Sequence, residues 1–386
     1  MTILIINPDN DLHCLHMIKR MKERSIAFFE LESQSQNNYS FVDGQLIYNN
    51  VPVEQFNSVF YRNKSNFIPI SLGDTYFDSF NDNRLLESHL ENLNSWISII
   101  SNNGGRIINP PMVRSKFMQI HQLKKYGIPM PETCITNSPI IIREFVKKVK
   151  KAVYKPISGG FYCRRITQKF LDTMDTFIRE PAIYQEEIIG KDIRVNLLNN
   201  RVLSAHLIKM KDKDILDYRM DPDYKSGNIN YEKIKLPPHV IKFCIKASEI
   251  LNLTFTGIDL KVDSKGQYYL IECNSMPSYL DIEFKTDTPI TDYIIDYLHM
   301  GNDNNVSDLK RNSYKDYMDK YGDIVKGNYL FNYKEVLLNY AENNGQIIRI
   351  PLNEVQKQTF YNCKITDPES IIVMVDKTGC QLIGVE

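Results

Sequence analysis

The chain opens with four apolar residues, Ile3-Leu4-Ile5-Ile6, cut off at once by Asn7-Pro8-Asp9-Asn10-Asp11. An apolar run that short, bounded by turn residues, predicts a buried strand. Leu12, Leu15, Ile18 and Met21 then fall on one face of a helix over 12–22. Further strand signals lie at 26–31 and 58–61, a helical region at 85–101, and a strand end at 106–109 closed by Pro110-Pro111. Strand and helix alternating in this way predict a small α/β domain with parallel strands.

From Ser115 the pattern changes. A helix from 116 to about 126 stops at Gly127, and Pro129 and Pro131 bar its continuation. A short strand, a helix at 142–150 and a strand at 152–154 leading into Lys155 follow. Strands and a helix then alternate up to a β-hairpin near 257–274. Boundaries are placed near 112 and 300, giving segments 1–111, 112–300 and 301–386. The last begins with polar 301–307 and reads as a helix at 333–342 with strands at 346–350, 371–375 and 381–385, an α+β extension without an assigned role.

Composition narrows the classes. Apolar residues make up 42% and charged residues 24% of the 386, as in ordinary globular proteins. The formal net charge is zero, so no global field favours nucleic acid or an acidic membrane, and any phosphate binding must be local. No apolar stretch approaches the roughly 20 residues of a membrane-spanning helix. The first apolar run lacks the basic start and length of a signal peptide. The seven Cys are odd in number and never form Cys-x-x-Cys, which reads as reduced thiols in a cytoplasm. His13-Cys14-Leu15-His16 does not read as a zinc site, because neighbouring residues point to different faces of a helix. No Gly-x-Ser-x-Gly elbow is present, and the aromatics suit a core or interface better than a nucleic-acid stacking platform.

The strongest local signal is Gly257-Ile258-Asp259 followed by Ile271-Glu272-Cys273-Asn274, with a turn composition at Asp263-Ser264-Lys265-Gly266 between. A two-residue loop at Lys265-Gly266 would set Asp259 directly opposite Glu272. A four-residue loop keeps that register, whereas a three-residue loop would break it. Glu272 and Asn274, two apart, project from the same face of their strand. Three oxygen ligands then converge as a hard cation such as Mg²⁺ requires. The plainer reading is a solvated edge hairpin, but a carboxylate beside Leu270 and Ile271 is costly unless paired or on metal.

Three further segments add to it. Ala152-Val153-Tyr154-Lys155 delivers a Lys to the loop Ser158-Gly159-Gly160, which suits a phosphate clamp of ammonium and backbone N–H groups, or simply an exposed Lys before a turn. In Tyr184-Gln185-Glu186-Glu187-Ile188-Ile189-Gly190-Lys191-Asp192-Ile193-Arg194 an acidic turn precedes a strand bearing Asp192 and Arg194 on one face. Asp192 can accept from ribose hydroxyls and Arg194 can fork onto a phosphoryl group. A cross-strand ion pair explains them equally well. Asp217-Tyr218-Arg219 offers a second cationic contact to phosphate, or an exposed loop. In succession they describe one nucleotide site better than unrelated accidents do.

In this order, over about 105–300, the sequence resembles the ATP-grasp superfamily. Asn109-Pro110-Pro111, Lys116 and Tyr126-Gly127-Ile128-Pro129-Met130-Pro131 look like the lead-in to its central domain. The resemblance implies an α/β (α+β) ATP-grasp fold with an N-terminal α/β pre-ATP-grasp domain, a central domain and a C-terminal lobe. It implies ATP and Mg²⁺ as cofactors, with two ions expected. Lys116 and Lys155 take the places of two phosphate-contacting lysines, Glu186, Glu187 and Ile188 the adenine hinge, Asp192 the ribose acid, and Asp259, Glu272 and Asn274 the Mg²⁺ ligands. Arg194 and Arg219 would stabilise charge on the transferred phosphoryl group.

Within the superfamily the chain is most similar to graspetide synthetases, the microviridin-type ligases that install ester or amide crosslinks in ribosomal peptides. Asp9-Asn10-Asp11-Leu12-His13, Val59-Phe60-Tyr61-Arg62 and Asp217-Tyr218-Arg219 carry that likeness, with Phe60, Asn63 and Tyr218 departing from the commoner Trp, Arg and Trp. The likeness implies a precursor peptide, leader plus core, as partner, with no nucleic acid and no membrane; a homodimer is allowed. A RimK-like or dipeptide-type ligase joining a small amine to a carboxylate is the alternative. A non-catalytic ATP-grasp module fits less well, because both acids, both lysines and both arginines are intact.

Overall fold

The computed structural model describes residues 2–7, 11–32, 39–48, 50–62, 76–109, 115–157, 162–172, 174, 181–212, 214–225, 227–300, 347–351, 370–376 and 379–385. The chain divides into two units, 1–111 with 289–386, and 112–288.

The first unit begins with β1 (Ile3–Asn7), α1 (Leu12–Glu23) and β2 (Phe28–Glu32). An antiparallel meander of β3 (Tyr39–Val42), β4 (Gln45–Tyr48) and β5 (Val51–Pro52) precedes β6 (Ser58–Tyr61), α2 (Tyr76–Asn102) and β7 (Arg106–Ile107). The main sheet runs β2-β1-β6-β7, all neighbours parallel. Ile3 to Ile6 are fully buried, the continuous apolar run that a strand covered on both faces requires. Leu4, Ile6 and Val59 pack against Leu93, Trp96 and Ile97 of α2. The expected parallel α/β arrangement is what forms.

The second unit holds α3 (Lys116–Lys125), β8 (Thr133–Thr136), α4 (Pro139–Val149), β9 (Ala152–Pro156), β10 (Arg164–Arg165), α5 (Gln168–Asp172) and β11 (Ala182–Glu186). It continues with β12 (Gly190–Leu198), β13 (Arg201–Lys209), α6 (Pro222–Lys225), β14 (Asn230–Lys233), α7 (Pro238–Ile250), β15 (Phe255–Asp263), β16 (Tyr268–Asn274) and α8 (Leu280–Thr286). The smaller sheet, β10-β9-β11-β8, packs Ala152 and Tyr184 against Ile142 and Phe145 of α4.

The larger sheet, β14-β13-β12-β15-β16, is antiparallel throughout. Its two long central strands approach closely at Gly190, where a Cβ would lie 2.1 Å from the Val262 carbonyl oxygen. Asn199 and Asn200, with φ of 46° and 60°, close the β12–β13 turn in the left-handed pair that a type I′ hairpin needs. Alternate residues Ile193, Val195, Leu197, Ile258 and Leu260 bury one face against Val240, Cys244 and Ala247 of α7. The polar alternates are thereby committed to the other face.

After this unit, α9 (Ile290–Met300) groups with the first one. The two units therefore divide at 288/289. The reason is side-chain pairing: buried Arg20 of α1 forks onto Asp292, Nε to Oδ1 at 3.1 Å and Nη2 to Oδ2 at 2.9 Å, and Arg24 pairs with Asp296. Further along, β17 (Ile347–Pro351), β18 (Ser370–Asp376) and β19 (Gly379–Val385) form an antiparallel sheet near the expected strands. The helix expected at 333–342 lies outside the described residues. Among the described residues no helix is long and apolar enough to cross a membrane.

Candidate active site on the five-stranded sheet

The β15–β16 turn has three residues, not two. Asp263 N–H donates to Gln267 O at 3.0 Å around Ser264-Lys265-Gly266, with Gly266 at φ +79°. Leu260, Lys261 and Val262 consequently pair with Leu270, Tyr269 and Tyr268. A bulge then leaves Ile271 unopposed and shifts the register by one, so that Asp259 faces Glu272 and Gly257 faces Asn274. The expected Asp259–Glu272 pairing forms, but by a route the turn composition did not indicate.

Register extends this pair into a polar row across all five strands. Lys233, His206, Arg194, Asp259 and Glu272 stand directly opposite one another in turn, on the face away from α7. Arg194 Nε lies 2.7 Å from Asp259 Oδ1, and its Nη2 donates to Tyr218 Oη at 2.8 Å. The Nε–Oδ1 approach is a charge contact without hydrogen-bond alignment, and both atoms are buried without an aligned partner. Burial opposes charge on Arg194, yet the Asp259 carboxylate holds its guanidinium above its ordinary value. Burial pushes the Asp259 carboxyl up, with Arg194 opposing and Glu272 adding to the push. Asn274 Nδ2 donates to Asp259 Oδ2 at 3.0 Å.

Lys116, the first residue of α3, brings Nζ to 3.9 Å from Glu272 Oε1. Asp192 pairs with Lys261 at 2.9 Å, opposite it on β15, while burial pushes its carboxyl up. The ion-pair reading of Asp192 and Arg194 therefore holds in this structure, each on its own partner. Arg219 sits in a short turn and forks onto Asp217, Nε to Oδ1 at 2.9 Å and Nη2 to Oδ2 at 2.6 Å, half-exposed over the Tyr162 ring. Its charge still bears on Asp259.

On the smaller sheet, Lys155 lies in β9 opposite Ile183, close enough for its charge to bear on Cys163. Between β11 and β12, Glu186 N–H donates to Glu132 O at 2.8 Å and Glu187 N–H to Lys151 O at 3.0 Å, while the Glu187 carboxylate takes Arg165 at 2.8 Å. Ile188 follows, buried. Gly159 and Gly160 lie outside the described residues.

Several contacts around Arg194 and β16 were not legible in the sequence. Tyr218 orients Arg194, and Tyr224 packs edge-on to it at 5.2 Å between centroids. Gly257 leaves room for Arg194: a Cβ there would lie 2.8 Å from Nη1. Gln119 of α3 bonds both backbone groups of Cys273, each at 2.9 Å. Only the strand partners were accessible to register counting.

Among the described residues no group of three or more His, Cys, Asp or Glu is placed to hold a metal ion. The hairpin offers two carboxylates and an amide, with Asp259 Oδ1 buried and lacking an aligned hydrogen-bond partner. Hard oxygen donors that leave coordination positions to phosphate and water fit Mg²⁺.

The fold defines the class of the central segment: residues 113–298 form an ATP-grasp domain. Residues 113–298 match the RimK-like ATP-grasp domain, and the chain carries that domain. It is 24% identical over 212 residues to tetrahydromethanopterin:alpha-L-glutamate ligase of Methanocaldococcus jannaschii, covering 49% of this chain and 69% of that protein. A probable alpha-L-glutamate ligase of Legionella pneumophila is 28% identical over 196 residues, 48% of this chain and 63% of its own length. In fold the chain is similar to the ATP-grasp ligase PsnB complexed with minimal precursor, Mg and ADP, with a TM-score of 0.62 and 23% identity over 77% of this chain and 96% of that one. It is similar also to the macrocyclase MdnC of Microcystis aeruginosa bound with precursor peptide MdnA, with a TM-score of 0.65 and 17% identity over 78% and 100% of the two chains.

Proposed function

We propose that the protein is an ADP-forming ligase that activates Asp or Glu side chains of a ribosomal precursor peptide as acyl phosphates and closes them into ester or amide crosslinks. The observation that carries the chemistry is the convergence of Asp259, Glu272, Asn274, Arg194 and Lys116 on one hairpin face. ATP would lie with its base at the hinge. The Glu186 and Glu187 amides are already bonded, so the Ile188 amide is the hinge donor left for an adenine edge. Asp192 would exchange Lys261 for the ribose hydroxyls, and Lys155, Gly159, Gly160 and Lys116 would hold phosphate oxygens. Mg²⁺ held by Asp259, Glu272 and Asn274 would offset charge on the phosphoryl oxygens. Arg194, already braced by Tyr218, would steady the charge that develops as the substrate carboxylate attacks the γ-phosphate. No side chain need become a covalent nucleophile.

The peptide substrate is supported by the fold likeness to ligases solved with precursor peptides, which spans both units. The second reading, coupling of a small amine such as glutamate, is favoured by the names of the sequence relatives over the 113–298 segment. Incubation with a candidate precursor peptide, ATP and Mg²⁺, followed by mass spectrometry, separates them. A loss of about 18 Da per crosslink, dependent on the leader, is the expected result, one water leaving per bond. Mass gained from free amino acids without a leader would establish the amine ligase. AMP and pyrophosphate as products, or a phosphoenzyme, would overturn the acyl-phosphate mechanism itself.

A further inference from the structure

Buried polar atoms that lack a hydrogen-bond partner are few in folded proteins and cost about 1–3 kcal/mol each. Among the described residues five of the twelve such side-chain atoms lie on one sheet face: Arg194 Nε, Asn196 Oδ1, Asp259 Oδ1 and both ring nitrogens of His206. Arg194 stands opposite His206 on β13 and Asp259 on β15, and Asn196 lies two residues along β12 from Arg194. His206 and Asn196 are fully buried. The clustering of these atoms around Arg194 marks a ligand surface larger than the metal hairpin.

Their chemistry divides at Arg194. On the β15 side stand carboxylates suited to metal and phosphate. At His206 on β13 and at Asn196 further along β12 the free groups carry no charge. Burial, with the Lys233 charge beside it, drives the His206 imidazole down to about 4, so one ring nitrogen keeps a bare lone pair at neutral pH. Asn196 Nδ2 donates to Ser204 Oγ at 3.1 Å, which leaves its amide oxygen as an acceptor. Two neutral acceptors suit a hydrogen-bond donor, a hydroxyl or an amine. His206 lies about one strand spacing, roughly 4.8 Å, beyond Arg194 on the side away from Asp259, and Asn196 lies two residues along β12 from Arg194.

Resting on the ligase reading above, we propose that His206 and Asn196 form the acceptor subsite, which binds the hydroxyl or amine that captures the acyl phosphate and in which His206 removes its proton. As the nucleophile's lone pair bonds to the acyl carbon, its proton passes to the bare imidazole nitrogen. The carbon–oxygen bond to phosphate breaks, inorganic phosphate leaves with that electron pair, and the imidazolium returns the proton to it. No oxidant or further co-reactant is needed. Tyr231, edge-on to His206 at 6.5 Å between centroids, flanks the subsite.

The test compares two captures of one intermediate in His206→Leu and His206→Gln, made in the full chain. The acyl phosphate formed on a candidate precursor peptide is offered either its own acceptor or hydroxylamine, a nucleophile strong enough to need no base. Crosslink formation should fall about 100-fold or more, the usual contribution of a general base, while ATP-dependent hydroxamate still forms. Equal loss of both products, or an undiminished crosslink, would overturn the proposal. A wild-type protein that makes no hydroxamate would instead defeat the ligase reading. Thermal unfolding decides independently of substrate. His206→Leu removes two unsatisfied nitrogens and should hold or raise Tm, whereas a structural imidazole would lower it by several degrees and the subsite would be withdrawn.

Discussion

Gly257 shows how closely a single residue controls the site. A Cβ there would lie 2.5 Å from Pro277 Cβ and 2.8 Å from Arg194 Nη1. Since the Pro277 ring yields little, the guanidinium must move. A displacement of about 1 Å at a reacting centre costs about 100-fold in rate. Gly257→Ala should therefore lower kcat by that order with the far-ultraviolet spectrum unchanged, and near-native turnover would show that Arg194 is not needed where it stands. Glu272→Gln keeps shape and removes charge. It should abolish ADP formation in a folded protein, and substantial activity would remove the metal assignment. His206 also leaves a signature in stability. Its pKa falls from 6.5 to about 4 on folding, so the unfolded chain binds a proton that the native chain refuses. Stability from this group is complete above pH 6.5 and is lost as pH falls toward 4. Denaturant titrations at pH 7.5 and 4.5 should show a smaller loss for His206→Leu than for the wild type, and parallel losses would contradict a buried neutral imidazole.

At the scale of elements, one side chain of α3 bonds the edge strand β16 at both backbone groups of a single residue. Gln119 uses its amide as a strand neighbour would, giving to Cys273 O and taking from Cys273 N–H, between Glu272 and Asn274. One helical turn earlier stands Lys116, 3.9 Å from Glu272. Gln119→Met keeps the volume and removes both bonds. It should weaken binding of AMPPNP with Mg²⁺ by about fivefold in calorimetry, taking about 1 kcal/mol from the two hydrogen bonds. In a Lys116→Met background the same change should cost much less, because both act through one placement; additive losses would make Gln119 a packing residue only. The elements themselves were legible where burial dictates alternation. Ile193, Val195 and Leu197 commit Asp192 and Arg194 to the opposite face, and the paired acids follow from register. The three-residue turn and the Ile271 bulge were not legible, because their effects on register cancel and turn composition does not count residues. Tyr218 and Gln119 reach the site through tertiary contacts between distant segments, which no local pattern records.

At the scale of the chain, the path returns: α9 closes the segment that matches the ATP-grasp domain, yet it groups with the unit that begins at residue 1. The sequence reading assigned no helix to 290–300, and no local pattern says which core would receive one. The partner is fixed by charge as well as packing, since Arg20 and Asp292 are both nearly inaccessible, at 5% and 2% exposure, and meet in a two-pronged bond. Arg24 adds Asp296, and Arg106 donates to the Leu298 carbonyl at 2.8 Å, near the helix end where exposed carbonyls favour a cation. Removing one member of a buried pair strands the other charge, which typically costs about 3–5 kcal/mol, whereas replacing both with apolar residues can be nearly neutral. Asp292→Leu should therefore lower the unfolding midpoint markedly, and Arg20→Met added to it should recover much of the loss. Both variants should keep their affinity for AMPPNP with Mg²⁺ while folded, because the pair lies in the first unit and the proposed nucleotide contacts in the second. A single substitution without effect on the midpoint would mean that the pair does not hold α9 in place.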